Sequence, residues 1–397
     1  MKIAIVHSFY SESSPSGENA VVRDQMDVLS SAGLDVHLFY CATDSLRGSE
    51  FYKARSAVNV ALRRGNNPTR YLSGLRPDVV HIHNTFPNIG TRWIADWPGP
   101  IAMSFHNYRS WCINGTFFRS GRQCTDCISH HHLSIPGIVH RCYRGSIAAS
   151  IPPAVSRRGF RDDSSHDNVI HVATSEGSYA KLSSLRTSER PVVQVPNFVI
   201  DRGGHRAPEQ VDAWLALGRF DPEKGFLQLI RDWPSTHRLR ILGSGPQENA
   251  IREAVRGRAN IHLSGPVPRD ELRKLIDSHV GLVFPSLWFE VAPQAVVEAM
   301  SAGTPVIAHR ANVVSGLLER TGSGIAYGDA EELTAALDNV RDNWSVVSQQ
   351  ARRVYESEWT PQIWLRRTLN LYHLMTQTYG STGSLRGLSL GNLGLDP

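Results

Sequence analysis

No apolar run in the 397 residues approaches the roughly 18 that a membrane-spanning helix requires, so no segment reads as a bilayer span. The apolar start Ile3–Val6 turns polar at His7 and Ser8, too early for the core of a signal peptide, and the expected compartment is the cytoplasm. No Asp-x-Asp triplet occurs, so no carboxylate pair is spaced to bridge a divalent cation to a phosphorylated ligand, and no catalytic metal is expected. Cysteine is scarce, with five residues, yet four of them fall between positions 112 and 142. Aromatic side chains are not interleaved with the basic cluster Lys53, Arg55, Arg63, Arg64, Arg70 and Arg76, which argues against a nucleic-acid partner. A solvated helix face is the plain account of that cluster. The alternative is peripheral contact of the 53–76 region with anionic lipid at the inner face of a membrane, or with a phosphorylated acceptor.

What is present is alternation. Short apolar runs at Ile3–Val6, Val36–Tyr40, Val79–His83, Ile101–Phe105, Val169–Ala173 and Val192–Val195 read as strands separated by helical patterns. The same order resumes at Ala213–Leu217, Arg238–Leu242, Ile261–Leu263, Val280–Phe284 and Val306–Ala308. The expected fold is α/β, with two Rossmann-like, doubly wound parallel-sheet domains whose ligands sit beyond the carboxyl ends of the strands. Residues 1–196 form the first domain, and the Gly/Pro-rich stretch 197–212 is the linker. Residues 213–358 form the second domain, 359–379 an amphipathic C-terminal helix, and the Gly/Ser/Leu-rich 380–397 a disordered tail.

The most informative stretch is Phe284–Ala308, FPSLWFEVAPQAVVEAMSAGTPVIA. It reads as the end of a buried strand, a turn, a helix opened by Pro293 and stopped at Gly303, and a further strand. Glu290 lies before the helix and Glu298 in its second turn, in an otherwise almost uncharged segment. The N–H groups of the helix start lie between them and suit a phosphate. A nucleotide-sugar, with hydroxyls at both ends and phosphate in the middle, fits that arrangement; solvated or capping acids are the plainer account. In the loop Gly218–Gly225, Arg219 and Lys224 are spaced to reach one phosphate pair, the first as a fork and the second as a point charge. Gly243-Ser244-Gly245 is a weaker phosphate signal, and Gly17 would let backbone approach a ligand in the first βα loop. His81, His83 and His106 stand at strand ends.

Residues 110–144 are long for a loop and carry Cys112, Cys124, Cys127 and Cys142, with His130, His131, His132 and His140 among them. The spacing Cys124-Thr125-Asp126-Cys127 is that of a zinc knuckle, and two more thiols complete a tetrahedral set. A structural zinc would hold together an insertion with few apolar residues; four unligated thiols is the alternative. Cys41 reads as core.

The stretch around Glu290 and Glu298 resembles the signature of retaining glycosyltransferase family 4, and HNYRSWC…GRQCTDC…RCYRGS resembles an insertion of a bacterial subset of that family. The resemblance implies a GT-B fold, two domains facing a central cleft with the last helix crossing back to the first domain. It implies that Glu290 contacts the hexose hydroxyls, Glu298 the ribose, Arg219 and Lys224 the pyrophosphate, and His106 the sugar near its anomeric carbon. The Gly17 loop would close over donor and acceptor, Gly218 belongs to the Gly-Arg element, and Val267 would border the nucleobase. Val291, Ala292 and Gln294 replace the family's usual turn, which leaves open which sugar is held. The implied activity is retaining, metal-independent transfer of a hexose from a UDP- or GDP-sugar to a glycan, lipid-linked or small-molecule acceptor, as in bacterial surface polysaccharide synthesis. A nucleotide-sugar epimerase of the same architecture and a non-catalytic nucleotide-sugar or zinc-binding protein are the alternatives.

Overall fold

The computed structural model describes residues 1–10, 17–48, 51–128, 134–163, 165–185, 192–201, 203, 212–386 and 388. Most of the expected loop after the first strand, most of the Gly/Pro-rich linker, His130–His132 and most of the tail lie outside the described residues. The chain divides into two compact units. Met1–Phe117, Cys124–Asn197 and Trp364–Pro397 form unit 1; Phe118–Gln123 and Phe198–Ile363 form unit 2.

The strands in chain order are β1 (Lys2–Phe9), β2 (Asp35–Ala42), β3 (Val79–Asn84), β4 (Ile101–Phe105), the hairpin pair β5 (Phe118–Arg119) and β6 (Arg122–Gln123), β7 (Val169–Ala173) and β8 (Val192–Gln194). Unit 2 continues with β9 (Trp214–Leu217), β10 (Leu239–Leu242), β11 (Ile261–Ser264), β12 (Leu282–Phe284), β13 (Val306–His309) and β14 (Gly324–Tyr327). In unit 1 the sheet order is β2-β1-β3-β4-β7-β8, and in unit 2 it is β11-β10-β9-β12-β13-β14; both six-stranded sheets are parallel throughout. Along β1 every residue after Lys2 is buried, as a parallel strand covered on both faces requires.

In unit 2 alternate residues feed two separate cores. Trp214, Ala216, Ile241, Val283 and Ile307 pack on one face of the sheet, while Leu215, Leu242, Leu282, Phe284, Val306 and Ala308 pack on the other. The chain runs outward from β9 to β11, then returns to the centre and runs the other way from β12 to β14. The order therefore reverses between β9 and β12, and the loops after these two strands flank the crevice where open α/β sheets bind ligands.

Two expectations are corrected. The described part of the tail is folded onto unit 1: the last helix runs Pro361–Thr382, Leu385 is buried, and its N–H donates to Asp167 O at 2.5 Å. The insertion is not apolar-poor in effect. Tyr108, Trp111, Ile113 and Phe117 are buried, and Gly137 closes onto Ile113 and Cys127. The buried Arg157, from helix Ile147–Asp163, donates to the carbonyls of Trp111 and Cys127. Four side chains close together in sequence and one arginine some forty positions downstream thus make a small core that composition alone conceals. No helix among the described residues is long and apolar enough to cross a membrane.

Glycines set the geometry of the unit 2 crevice. A Cβ at Gly243 (φ +149) would lie 1.9 Å from Gly218 O, and one at Gly245 2.7 Å from Phe220 N. A Cβ at Gly225 (φ +74) would lie 2.1 Å from Pro285 O. The loops after β9, β10 and β12 therefore meet backbone to backbone, and Phe220 N donates to Ser244 O and Leu287 N to Glu223 O, both at 2.9 Å. Gly243→Ala must push two loops apart and should cost about 2–4 kcal/mol of unfolding free energy in urea titration. Gly257→Ala, at φ +77 with open space around it, should cost only about 1 kcal/mol; equal losses would show that close approach is not what the glycine serves.

Candidate functional site

In unit 2 the crevice is built from three loops and one helix start. Strand β9 ends at Leu217, Gly218 turns the chain, and a single 3-10 turn at Pro222–Lys224 carries Lys224 inward. Strand β12 ends at Phe284, and the loop that follows carries Ser286, Trp288 and Glu290 to helix Gln294–Ser301, whose N-cap is Pro293. Lys224 Nζ lies 2.6 Å from Glu290 Oε1, and Ser286 Oγ donates to the same oxygen at 2.7 Å. Glu290 is only 4% exposed. Both bonds land on Oε1, and among the described residues Oε2 accepts none. A buried carboxylate so placed is a fixed acceptor for a ligand hydroxyl. Trp288 Nε1 and Gln294 Nε2, in the same loop and helix start, are buried and have no hydrogen-bond partner among the described residues, in a fold where such donors are normally satisfied.

The other expected donor-site residues are held differently. Arg219 extends into solvent, 71% exposed, and pairs with Asp221 at 2.5 Å rather than with Lys224's partner. Burial raises the carboxyl of the adjacent Glu223. Glu298 sits on helix Gln294–Ser301 with Arg269 Nε at 3.5 Å. The two line a small cavity of about 20 Å³ with Val199, Ile200, Leu272, Arg273 and Ile276. Val267 is partly buried against the same core, Val291 is buried, and Ala292 is half-buried at the turn. Gly218, Gly243 and Gly245 line the loop contacts described above. Sequence reasoning missed Ser286, Asp221 and Arg269; Ser286, four residues before Glu290 in an apolar run, was the one recoverable from position.

In unit 1 the carboxyl end of the sheet carries a stack of histidines. His81 Nδ1 lies 2.6 Å from Tyr372 Oη and Nε2 2.8 Å from Ser104 Oγ, so both its nitrogens are satisfied. His83 stacks on it at 4.2 Å and lies 3.0 Å, Nδ1 to Nε2, from His106. His7, from β1, bonds Asn19 Oδ1 at 2.9 Å. Burial holds these rings neutral: His7 falls to about 4, His81 and His106 to about 3, and His83 well below the ordinary value. His106 is thus a neutral hydrogen-bonding group. It lines a cavity of about 100 Å³ with His83, Asn84, Arg63, Arg64 and Phe160 among others. Nearby, burial raises the Glu18 carboxyl to about 7, against the pull of an Asn84 hydrogen bond and the Arg109 charge. Arg109 lies over the Phe86 ring at 4.3 Å, and burial lowers its pKa. Gly17 is the first residue of the helix that carries Glu18 and Asn19. His7 and Glu18 were missed by sequence reasoning, although a histidine inside an apolar strand was a visible signal.

Burial raises the Cys127 thiol pKa, and Cys112 and Cys124 lie near enough for their charges to act with it. Cys112, Cys124, Cys127 and Cys142 are not disulfide-bonded, and among the described residues no three His, Cys, Asp or Glu side chains are grouped to hold a metal ion. Cys41 is buried and accepts from Asn66 Nδ2 at 3.0 Å.

The neutral histidines fix a pH response. Unfolded imidazoles take up protons near pH 6.5, whereas in the fold His7, His81 and His106 stay neutral to about 3–4. The unfolded chain binds more protons across that window, so stability should fall as pH drops from about 6.5 towards 4, by up to about 1.4 kcal/mol per pH unit for each histidine. Glu18 acts in the opposite sense: its folded pKa is raised, so its contribution is full below about 4.5 and lost as pH rises through about 7. Urea unfolding from pH 7 to pH 4 should show the decline, and His81→Asn should reduce its slope. A flat profile would mean the rings are charged in the folded chain.

Residues 212–343, which lie within unit 2, match the sequence model of the family described as glycosyl transferases group 1. Over 229 residues the chain is 28% identical to a phosphatidyl-myo-inositol mannosyltransferase of Mycobacterium leprae, an alignment spanning 48% of this chain and 60% of that relative. Among solved structures, sucrose-phosphate synthase from Thermosynechococcus elongatus superposes with a TM-score of 0.66 at 15% identity, covering 96% of this chain and 100% of its own. A glycosyltransferase involved in avilamycin A biosynthesis gives 0.59 at 17%, covering 95% and 98%. Anabaena HepE in complex with UDP-glucose gives 0.59 at 11%, covering 96% and 100%. At these identities the structural likeness establishes the fold: two parallel-sheet α/β domains, as in the GT-B glycosyltransferases.

Proposed function

We propose that this chain is a retaining, metal-independent glycosyltransferase that moves a hexose from a UDP- or GDP-sugar to a hydroxyl of a glycan, lipid-linked or small-molecule acceptor, in bacterial surface polysaccharide synthesis. The observation that carries the reading is Glu290: a buried carboxylate with Oε1 committed to Lys224 and Ser286 and Oε2 open, with the unpartnered Trp288 and Gln294 donors in the same loop and helix start. It stands at the point in unit 2 where the strand order reverses, inside the stretch that matches the group 1 glycosyl transferases. UDP and UDP-glucose are bound in the HepE structures of the same fold.

In this reading unit 2 holds the donor. Glu290 Oε2 accepts from sugar hydroxyls, and Lys224, already at that carboxylate, offers its charge to the departing diphosphate. Arg219 joins once it leaves Asp221, and Glu298 accepts from the ribose in place of Arg269. The leaving phosphate takes the acceptor's proton on the face it vacates, so no separate basic carboxylate is required. His106, neutral and hydrogen-bonded to His83, orients hydroxyls rather than shuttling a proton at neutral pH.

A thermal-shift panel of UDP, GDP, ADP and their sugar conjugates tests the donor site. One nucleotide should raise the melting temperature, because binding favours the folded state in proportion to occupancy, and Glu298→Ala should abolish that rise. Lys224→Met should lower transfer by about 10²–10³-fold with the donor still bound. Well-folded protein that responds to none of these nucleotides would refute the proposal.

A further inference from the structure

Eleven of the 42 lysines and arginines, and none of the 37 aspartates and glutamates, fall in two segments of unit 1, residues 51–76 and 134–161. The rest of the chain therefore carries more acids than bases. The fold brings the two segments together: helices Tyr52–Leu62 and Ile135–Val139 both pack on helix Ile147–Asp163. Arg63 Nη1 donates to Gly159 O at 2.8 Å, so closely that a Cβ at Gly159 would overlap the guanidinium.

Each of these helices turns apolar side chains to solvent at four-residue spacing, which keeps them on one face. They are Val58 and Leu62, Ile135 and Val139, and Ile147, Ile151 and Val155, all between 40% and 62% exposed, with Phe51 at 74% before the first helix. Of thirteen strongly exposed large hydrophobic residues among the described residues, eight belong to this layer. Lys53, Arg55, Arg64, Arg141 and Arg144 are exposed among them. An aliphatic surface of this extent marks an interface, and its charge selects the occupant. A second copy of the same face would set cation against cation. Nucleic acid would leave the aliphatic stripes uncovered. An anionic bilayer satisfies both, taking the isoleucines and valines at its acyl boundary and the cations at its phosphates.

We propose that unit 1 docks on an anionic lipid bilayer through this three-helix face. The surface is wider than the 53–76 cluster and draws most of its apolar area from helices Ile135–Val139 and Ile147–Asp163. Docking rests on unit 1 alone and requires no nucleotide, so it stands or falls separately from glycosyl transfer.

The test is co-sedimentation of the full chain with vesicles of phosphatidylcholine alone and of phosphatidylcholine–phosphatidylglycerol at three to one. The chain should pellet with the anionic vesicles, remain in solution with the neutral ones, and be released by salt. Ile151→Ser/Val155→Ser should weaken the partition by about tenfold or more. Lys53→Gln/Arg55→Gln should weaken it and lower its salt sensitivity, and Val346→Ser, an exposed valine of unit 2, should leave it unchanged. These positions are on the surface, and matching thermal melts would confirm that the variants fold. Wild-type protein that stays in solution with anionic vesicles at low salt overturns the proposal, as does full retention by the double serine variant. A wild-type dimer in light scattering that the same serines convert to monomer would assign the face to self-association instead.

Discussion

Three loops of unit 2 approach one another so closely that their backbones touch, and the arrangement of the Glu290 site depends on that contact. Gly218, Gly225, Gly243 and Gly245 carry no Cβ into the gap, and three of them would strike a neighbouring main-chain atom if they did. The approach lets Leu287 N reach Glu223 O, which brings the loop after β12 against the loop after β9. Lys224 and Glu290, 66 residues apart, then lie in hydrogen-bonding contact. Removing either partner would leave the other's charge unpaired in a largely buried place, so the pair constrains both loops.

Charge in this crevice is paired within the chain. Lys224 is neutralised by Glu290, Arg219 by Asp221, and Glu298 faces Arg269. Such pairing keeps three cations and three carboxylates from repelling their own kind, and it means that a ligand enters by exchange. Exchange of this kind favours ligands that present both anionic and hydroxyl groups, since either alone leaves one half of each pair exposed.

The elements whose physics is local were readable in the sequence. Apolar runs such as Ile101–Phe105 became strands within a residue or so, because a strand buried on both faces needs little beyond its own composition. Glu290 and Lys224 were recognisable because each stands in a loop bounded by glycine or proline. What escaped was whatever depends on distant partners. Ser286 matters only because the loop folds back on Glu290, and His7 only because β1 lies beside β3. The apolar interior of the insertion escaped for the same reason. It is assembled from Tyr108, Trp111, Ile113, Phe117 and an arginine more than thirty positions downstream. Arg219 stands in the loop and Glu298 on the helix that the sequence predicts, but their partners, Asp221 and Arg269, were not apparent from spacing.

Arg157 ties two parts of the chain together. The guanidinium of Arg157 is buried and bonded to the carbonyls of Trp111 and Cys127, while its backbone belongs to helix Ile147–Asp163. Deleting the insertion would strand a charge in the interior, and losing the arginine would leave two buried carbonyls without donors. The helix and the insertion are therefore mutual dependants, and a change that removes one leaves a buried polar group of the other unpaired.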